Sequence, residues 1–82
     1  MWTDIRDVSA LDAAMKLTRG CYQRNLLRGY ESLSGSTLKG RAKEYGGRYQ
    51  RSACSLLRRM TAAGVAWTEE RGTHGRRILV IG

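Results

Sequence analysis

The chain contains no proline and no phenylalanine, and 41% of its 82 residues are hydrophobic. That composition is foldable rather than disordered. Its length allows one domain with a modest core. Cysteine is scarce, with only Cys21 and Cys54, and His74 is the single histidine. Two cysteines and one histidine give no metal-ligand spacing, so neither a metal nor another cofactor is expected. The cysteines read as small buried or half-buried hydrophobes in a reducing cytoplasm, not as a disulfide. Long apolar runs are missing as well: no stretch approaches the ~20 residues that span a bilayer. The opening MWTDIRDVSA has no signal-peptide hydrophobic region. A soluble intracellular protein without a membrane partner is the expectation. Neither glycine-rich stretch, SLSGSTLKG or RGTHGR, has the GxxxxGK[ST] spacing of a phosphate-binding loop. No Ser/His/Asp, Cys/His or paired-carboxylate set stands out, so an enzyme is not expected. There is no internal repeat and no low-complexity segment.

Acidic residues are few: 7 Asp and Glu face 15 Lys and Arg, for a net charge of +8. The imbalance is uneven. Arg6, Lys16 and Arg19 are matched by Asp4, Asp7 and Asp12, so residues 1–20 are neutral and residues 21–82 carry the whole excess. Arginine dominates the basic set, and its fork suits phosphate and guanine edges. Such a balance implies a polyanionic partner, nucleic acid first.

Along the chain, Ser9 is placed to cap a helix, with Asp12 near its positive end. Leu11, Met15, Tyr22 and Leu26 then form one helical stripe. Gly20 either kinks one long helix or separates two short ones. CYQRNLLRGYESL continues the pattern, and Gly29, a poor interior residue, marks its approximate end. SLSGS at 32–36 is a turn cluster, from which Ser36 caps a short helix, TLKGRAKEYG. On that helix Leu38, Ala42 and Tyr45 face inward and Lys39, Arg41 and Lys43 outward. Gly46 and Gly47 end it. A new helix starts near Arg48 and stops at Gly64, with Tyr49, Ala53, Leu56, Leu57 and Met60 on its inner stripe. VAWTEE and RRILVIG are strand-like and, around the polar RGTHGR, make a β-hairpin. Trp67 lies in one of these strands and is expected to pack on the helices.

The outer face of the 48–63 helix holds Arg48, Arg51, Ser55, Arg58 and Ala62, flanked by Gln50 and Ser52. It is of one sign and has no Glu at i+4, which separates it from an ordinary solvated face. Small serines would let the helix approach a surface closely. Arg48 and Arg51 suit guanine O6/N7 and Gln50 suits adenine N6/N7. Tyr22, Tyr30, Tyr45 and Tyr49 could be stacking platforms, but their helical spacing favours core packing. His74 reads as an exposed loop residue.

The segment STLKGRAKEYGGRYQRSACSLLRRMTAAG, read as two helices, followed by VAWTEERGTHGRRILVI, read as a wing, resembles the winged helix-turn-helix superfamily. The doubled glycine makes the turn slightly longer than the tightest helix-turn-helix. The resemblance implies a mainly α fold with a C-terminal β-hairpin, three to four helices plus a wing. It divides the chain into a 1–20 helical extension, a 36–63 helix-turn-helix and a 65–81 hairpin wing. It further implies that Arg48, Gln50, Arg51, Ser52 and Ser55 read bases. Lys39, Arg41, Lys43, Arg58 and Arg59 would meet phosphates. The helix start at Ser36 would offer free backbone N–H groups to another phosphate. The wing residues Arg71, His74, Arg76 and Arg77 suit the backbone or minor groove, or simply keep the hairpin tip soluble.

The function this implies is sequence-specific binding of double-stranded DNA in the cytoplasm, at the nucleoid. Small regulators and excisionase-like factors of phages and mobile elements look like this chain. A homodimer through the neutral N-terminal segment, by its Leu11–Met15 stripe, would match symmetric half-sites. The rival expectation is a protein-interaction module on the same fold, such as an inhibitor of a host nucleic-acid-binding defence complex. RNA binding is the third.

Overall fold

A computed structural model describes residues 3–33 and 41–81. Helix α1 (Thr3–Lys16) is followed by α2 (Gly20–Leu33), strand β1 (Arg41–Tyr45), a single 3₁₀ turn (Gly47–Tyr49), helix α3 (Gln50–Ala62), and strands β2 (Trp67–Arg71) and β3 (Arg77–Ile81). Three helices and a C-terminal hairpin are therefore present, as expected. The unexpected element is β1. It joins the hairpin in an antiparallel sheet of order β1-β3-β2.

Gly20 separates α1 from α2. It has φ +83, a left-handed conformation in which glycine has no steric cost. Ahead of it the chain turns through Leu17 and Thr18, whose N–H groups donate to the carbonyls of Ala14 (3.0 Å) and Met15 (3.2 Å). Ser9 does not cap α1, because the helix already begins at Thr3 and Ser9 lies inside it.

Gly29 does not end α2, which runs on to Leu33. Its role is contact. A Cβ at Gly29 would stand 2.6 Å from the backbone N of Lys43. The absent side chain lets α2 lie directly on β1, and Tyr30 beside it donates its hydroxyl to the Leu79 carbonyl at 2.8 Å. Burial there holds the Tyr30 phenol well above its ordinary pKa.

The short helix expected from Ser36 to Tyr45 is corrected at its C-terminal half: residues 41–45 form β1. Ala42 and Tyr45 do face inward, as the helical reading required, but from a strand. Two inward residues three apart fit one helical face; here an irregularity in the β1–β3 register between Arg41 and Glu44 gives the same result. Pairing with β3 and the approach to Gly29 outweigh a local helical preference. Ser36, Leu38 and Lys39 lie outside the described residues. Gly47 (φ +57) adopts the left-handed φ expected of the pair, whereas Gly46 (φ +156) does not, and together they leave a strand and enter the 3₁₀ turn.

The inner stripe of α3 is as read: Ala53, Leu56, Leu57 and Met60 are all buried. They share one core with Leu26, Leu27, Tyr30, Tyr45, Leu79 and Ile81. Gly64 (φ +81) follows the helix end at Ala63. Tyr49 is the exception, being 48% exposed. Leu11 and Met15 are half-buried against the core of their own chain, which leaves less of that stripe for a second copy.

Candidate nucleic-acid interface

The exposed surface of α3 begins in the 3₁₀ turn before it. Arg48, Gln50, Arg51 and Arg58 are exposed. Gly47, Arg48, Gln50, Arg51 and Cys54 line an open hollow of about 620 Å³. No carboxylate lies on α3 to balance its arginines. Neither Arg51 nor Arg58 makes an ion pair or hydrogen bond with a described residue. Ala62 follows them on the same face and is also exposed.

Ser52 and Ser55 do not belong to the free surface. Gln23 of α2, 4% exposed, donates through Nε2 to the Ser52 carbonyl at 2.8 Å and to its Oγ at 3.3 Å. Its Oε1 accepts from the Arg19 backbone N–H at 2.7 Å and from the Arg59 guanidinium at 2.6 Å. Both ends of the amide are thus satisfied by partners of the correct polarity. Arg59 also donates to the Leu17 carbonyl at 2.9 Å and to Ser55 Oγ at 2.7 Å.

Arg59 is consequently not available to a phosphate in the way expected of it. It ties the end of α1 and the start of α2 to α3, using the several donors that only a guanidinium offers. Ser52, Ser55 and Arg59 follow one another at spacings of three and four along one flank of the core stripe. That polar flank was the sequence signal for an interhelix tie. Arg59→Lys is expected to lower unfolding free energy by about 1–2 kcal/mol, whereas Arg58→Lys should change it by less than ~0.5 kcal/mol. Urea titration followed by circular dichroism measures both.

Among the phosphate candidates that can be placed, Lys43 is exposed on β1, and Arg41 lies at the start of that strand, next to the hairpin's β3. The hairpin itself is well formed. Pairing runs without interruption from Trp67↔Ile81 to Arg71↔Arg77. Trp67 is half-buried against the core, as expected, and donates Nε1–H to Thr61 Oγ1 of α3 at 2.8 Å. At the tip the Gly72 N–H donates to the Arg76 carbonyl (2.6 Å) and the Arg76 N–H to the Thr73 carbonyl (3.0 Å). His74 is exposed with φ +55. Arg71 and Arg76 are exposed, but Arg77 meets Glu69 at 3.1 Å. Arg71 and Arg77 are direct cross-strand partners, a juxtaposition of like charge that the Glu69 carboxylate on Arg77 relieves in part.

β1 steadies this tip. Glu44 accepts the Thr73 backbone N–H at 2.7 Å. That bond, with Arg76 and His74 nearby, holds the Glu44 carboxyl below its usual value. A depressed folded pKa contributes stability that is present above the unfolded value and lost as pH falls through the folded one. The Thr73 amide proton resonance is therefore expected to shift on acidification, with a midpoint below that of an ordinary glutamate, and to lose this step in Glu44→Gln. Two-dimensional NMR across the acid range reads it directly.

The feature that residue spacing concealed is Tyr49. Its ring stacks on Tyr22 of α2, with centroids 4.5 Å apart and planes inclined by 12°. The Arg48 guanidinium lies 6.0 Å from the Tyr49 centroid. Tyr30 and Tyr45 are buried, as their spacing implied. The cysteines are free: Cys54 is half-buried, whereas Cys21 is exposed and not the packed residue expected. Beside α3, Cys54, Leu57, Arg58, Thr61, Ala62, Trp67 and Glu69 line a largely apolar groove of about 430 Å³.

No grouping of His, Cys, Asp or Glu among the described residues could hold a metal ion. None of the described helices is long and apolar enough to cross a membrane. In comparisons with protein-family models, curated proteins and solved structures, the chain matches none.

Proposed function

We propose that this chain binds double-stranded DNA through the exposed face at the N-terminal end of α3, with the β2–β3 hairpin as a flanking wing. One observation carries the reading. Arg48, Arg51 and Arg58 are exposed on a helix and its lead-in turn that hold no acidic residue. A solvated helix face ordinarily mixes signs, because like charges on neighbouring turns repel. A polyanion removes that repulsion, and releasing its counterions supplies the affinity.

Within this proposal Arg48, Gln50 and Arg51 read base edges, and Arg58, Lys43, Arg71 and Arg76 hold phosphates. Ser52, Ser55, Arg59 and Arg77 act indirectly, by fixing α3 and the hairpin. The winged helix-turn-helix likeness then rests on α3 running into the hairpin. The companion helix is not part of it over residues 41–45, where β1 stands. A small DNA-binding regulator or excisionase-like factor of a phage or mobile element, acting at the nucleoid without cofactor or catalysis, is the biological role we assign. A homodimer on symmetric half-sites belongs to the same proposal, and sedimentation with and without duplex checks it.

Selection of bound duplexes from a random pool tests the reading. A preferred site of a few base pairs is expected. Arg51→Ala should relax one position of it by about 1–3 kcal/mol, while Lys43→Ala should weaken all sequences alike. A pool that emerges without any preference would oppose base reading.

One observation favours a second reading. The apolar groove between α3 and Trp67 is lined by Arg58 and shares Cys54 with the hollow that Arg48 and Arg51 line. A protein partner with an apolar anchor and acidic flanks would fit both, as in an inhibitor that occupies a host complex. Binding of such a protein with no duplex binding at low salt would select it.

A further inference from the structure

Tyr49 is the one large hydrophobic side chain exposed among the described residues, at 48%. The residue sits in the 3₁₀ turn between Arg48 and Gln50, at the lip of the surface proposed to meet DNA. Tyr22 lies flat beneath its ring at 4.5 Å, with an interplanar angle of 12°. Tyr22 is itself half-buried against the core, and its buried hydroxyl has no hydrogen-bond partner among the described residues. The pair is therefore an aromatic step whose lower ring packs against the core. One face of Tyr49 is covered by Tyr22, yet the residue remains 48% exposed, with the Arg48 guanidinium over its ring.

Cations surround the step. The Arg48 guanidinium stands 6.0 Å from the Tyr49 centroid. Arg76 of the hairpin is near enough for its charge to act on the Tyr22 hydroxyl, and its side chain packs beside Gly46. A planar base between a ring and a guanidinium needs about twice the ~3.5 Å contact distance of stacked atoms. The present separation falls about 1 Å short of that, a distance a long exposed arginine covers by changing rotamer. An edge-reading helix has no need of an exposed ring at this place. A half-exposed ring with an aromatic backing and a mobile guanidinium over it is what an unpaired base requires.

We infer that the Tyr22–Tyr49 step is a stacking site for one unpaired nucleobase, so that the chain prefers duplex DNA interrupted by an extruded or bulged base over continuous duplex. The ligand class is deoxynucleic acid with a base free of its partner. This inference rests on the DNA-binding reading above and deepens it. Arg51 and Arg58 hold the flanking duplex, and Tyr49 receives the base that leaves it. Any base suffices, because every base offers a π face.

The test uses the full chain and two fluorescein-labelled probes, a continuous duplex and the same duplex with one extra unpaired adenine. Anisotropy titrations give both affinities for the wild type, Tyr49→Phe and Tyr49→Ala. Stacking on one aromatic is worth about 1–3 kcal/mol, so the bulged probe should bind roughly 5- to 150-fold tighter. Tyr49→Phe should keep that preference. Tyr49→Ala should abolish it while leaving affinity for continuous duplex within about twofold. Tyr49→Phe should melt near the wild-type temperature and Tyr49→Ala, which gives up one stacked ring, several degrees lower but still folded at about 25 °C. Equal wild-type affinity for the two probes overturns the stacking site and leaves the duplex reading standing. A preference that survives in Tyr49→Ala does the same. Absence of binding to either probe overturns both.

Discussion

Gly29→Ala is expected to destabilise the protein by about 3 kcal/mol, against the usual effect of that substitution in a helix. Inside an ordinary exposed helix, alanine is favoured over glycine by about 1 kcal/mol, because it restricts the unfolded chain. Here Gly29 is buried, and the added Cβ would stand 2.6 Å from the Lys43 backbone N and 3.1 Å from the Ala42 carbonyl carbon. Neither atom is the end of a flexible side chain. Relief requires moving β1 away from α2, which loosens the contact between Tyr30 and the central strand. Overpacking ordinarily costs about 1–3 kcal/mol and occasionally more; against two backbone atoms this close it comes to about 4 kcal/mol, which leaves about 3 after the propensity gain. For a domain of this size about 3 kcal/mol corresponds to roughly 12–24 °C of melting temperature. Gly29→Val should leave little folded protein. An Ala variant as stable as wild type would mean that β1 does not lie on α2 as described.

Simultaneous replacement of Arg48, Arg51 and Arg58 by alanine is expected to lower duplex affinity by roughly a thousandfold, about 4 kcal/mol. Two base contacts at about 2 kcal/mol each account for most of that figure. Stability should be nearly unchanged. Arg51 and Arg58 bond to no described residue, and all three side chains are exposed. Removing like charges from one helix face even relieves some repulsion. The combination of lost binding and retained melting temperature distinguishes a binding face from a structural one. Replacement of Arg59 gives the opposite pattern, because its guanidinium serves Leu17, Ser55 and Gln23.

Regular periodicity made α3 and the hairpin legible in the sequence. Ala53, Leu56, Leu57 and Met60 follow the helical repeat, and ILVI is a strand by composition. What escaped depended on partners distant in the chain. RAKEY has an ordinary helical pattern, and only β3 and Gly29 make it a strand. Gly29 itself looked like a helix end, since nothing local announces a strand pressed against it. Arg59 and Arg58 are adjacent and chemically identical, yet one faces solvent and the other a buried glutamine. The polar flank of Ser52 and Ser55 separates them, and that pattern was present in the residues. Tyr49 fell on the helical stripe by count, but the 3₁₀ turn rotates it off the core and onto Tyr22.

The central claim is that an unbalanced arginine face meets a polyanion. Its most direct measurement is the affinity of the full chain for a random-sequence duplex across a salt series. Lys43, Arg48, Arg51, Arg58, Arg71 and Arg76 are exposed cations. If most of them neutralise phosphates, the logarithm of the association constant falls linearly against the logarithm of salt concentration, with a slope between about −3 and −5. A slope near zero, or no duplex binding even at ~50 mM salt, where phosphate contacts are strong, would contradict the account.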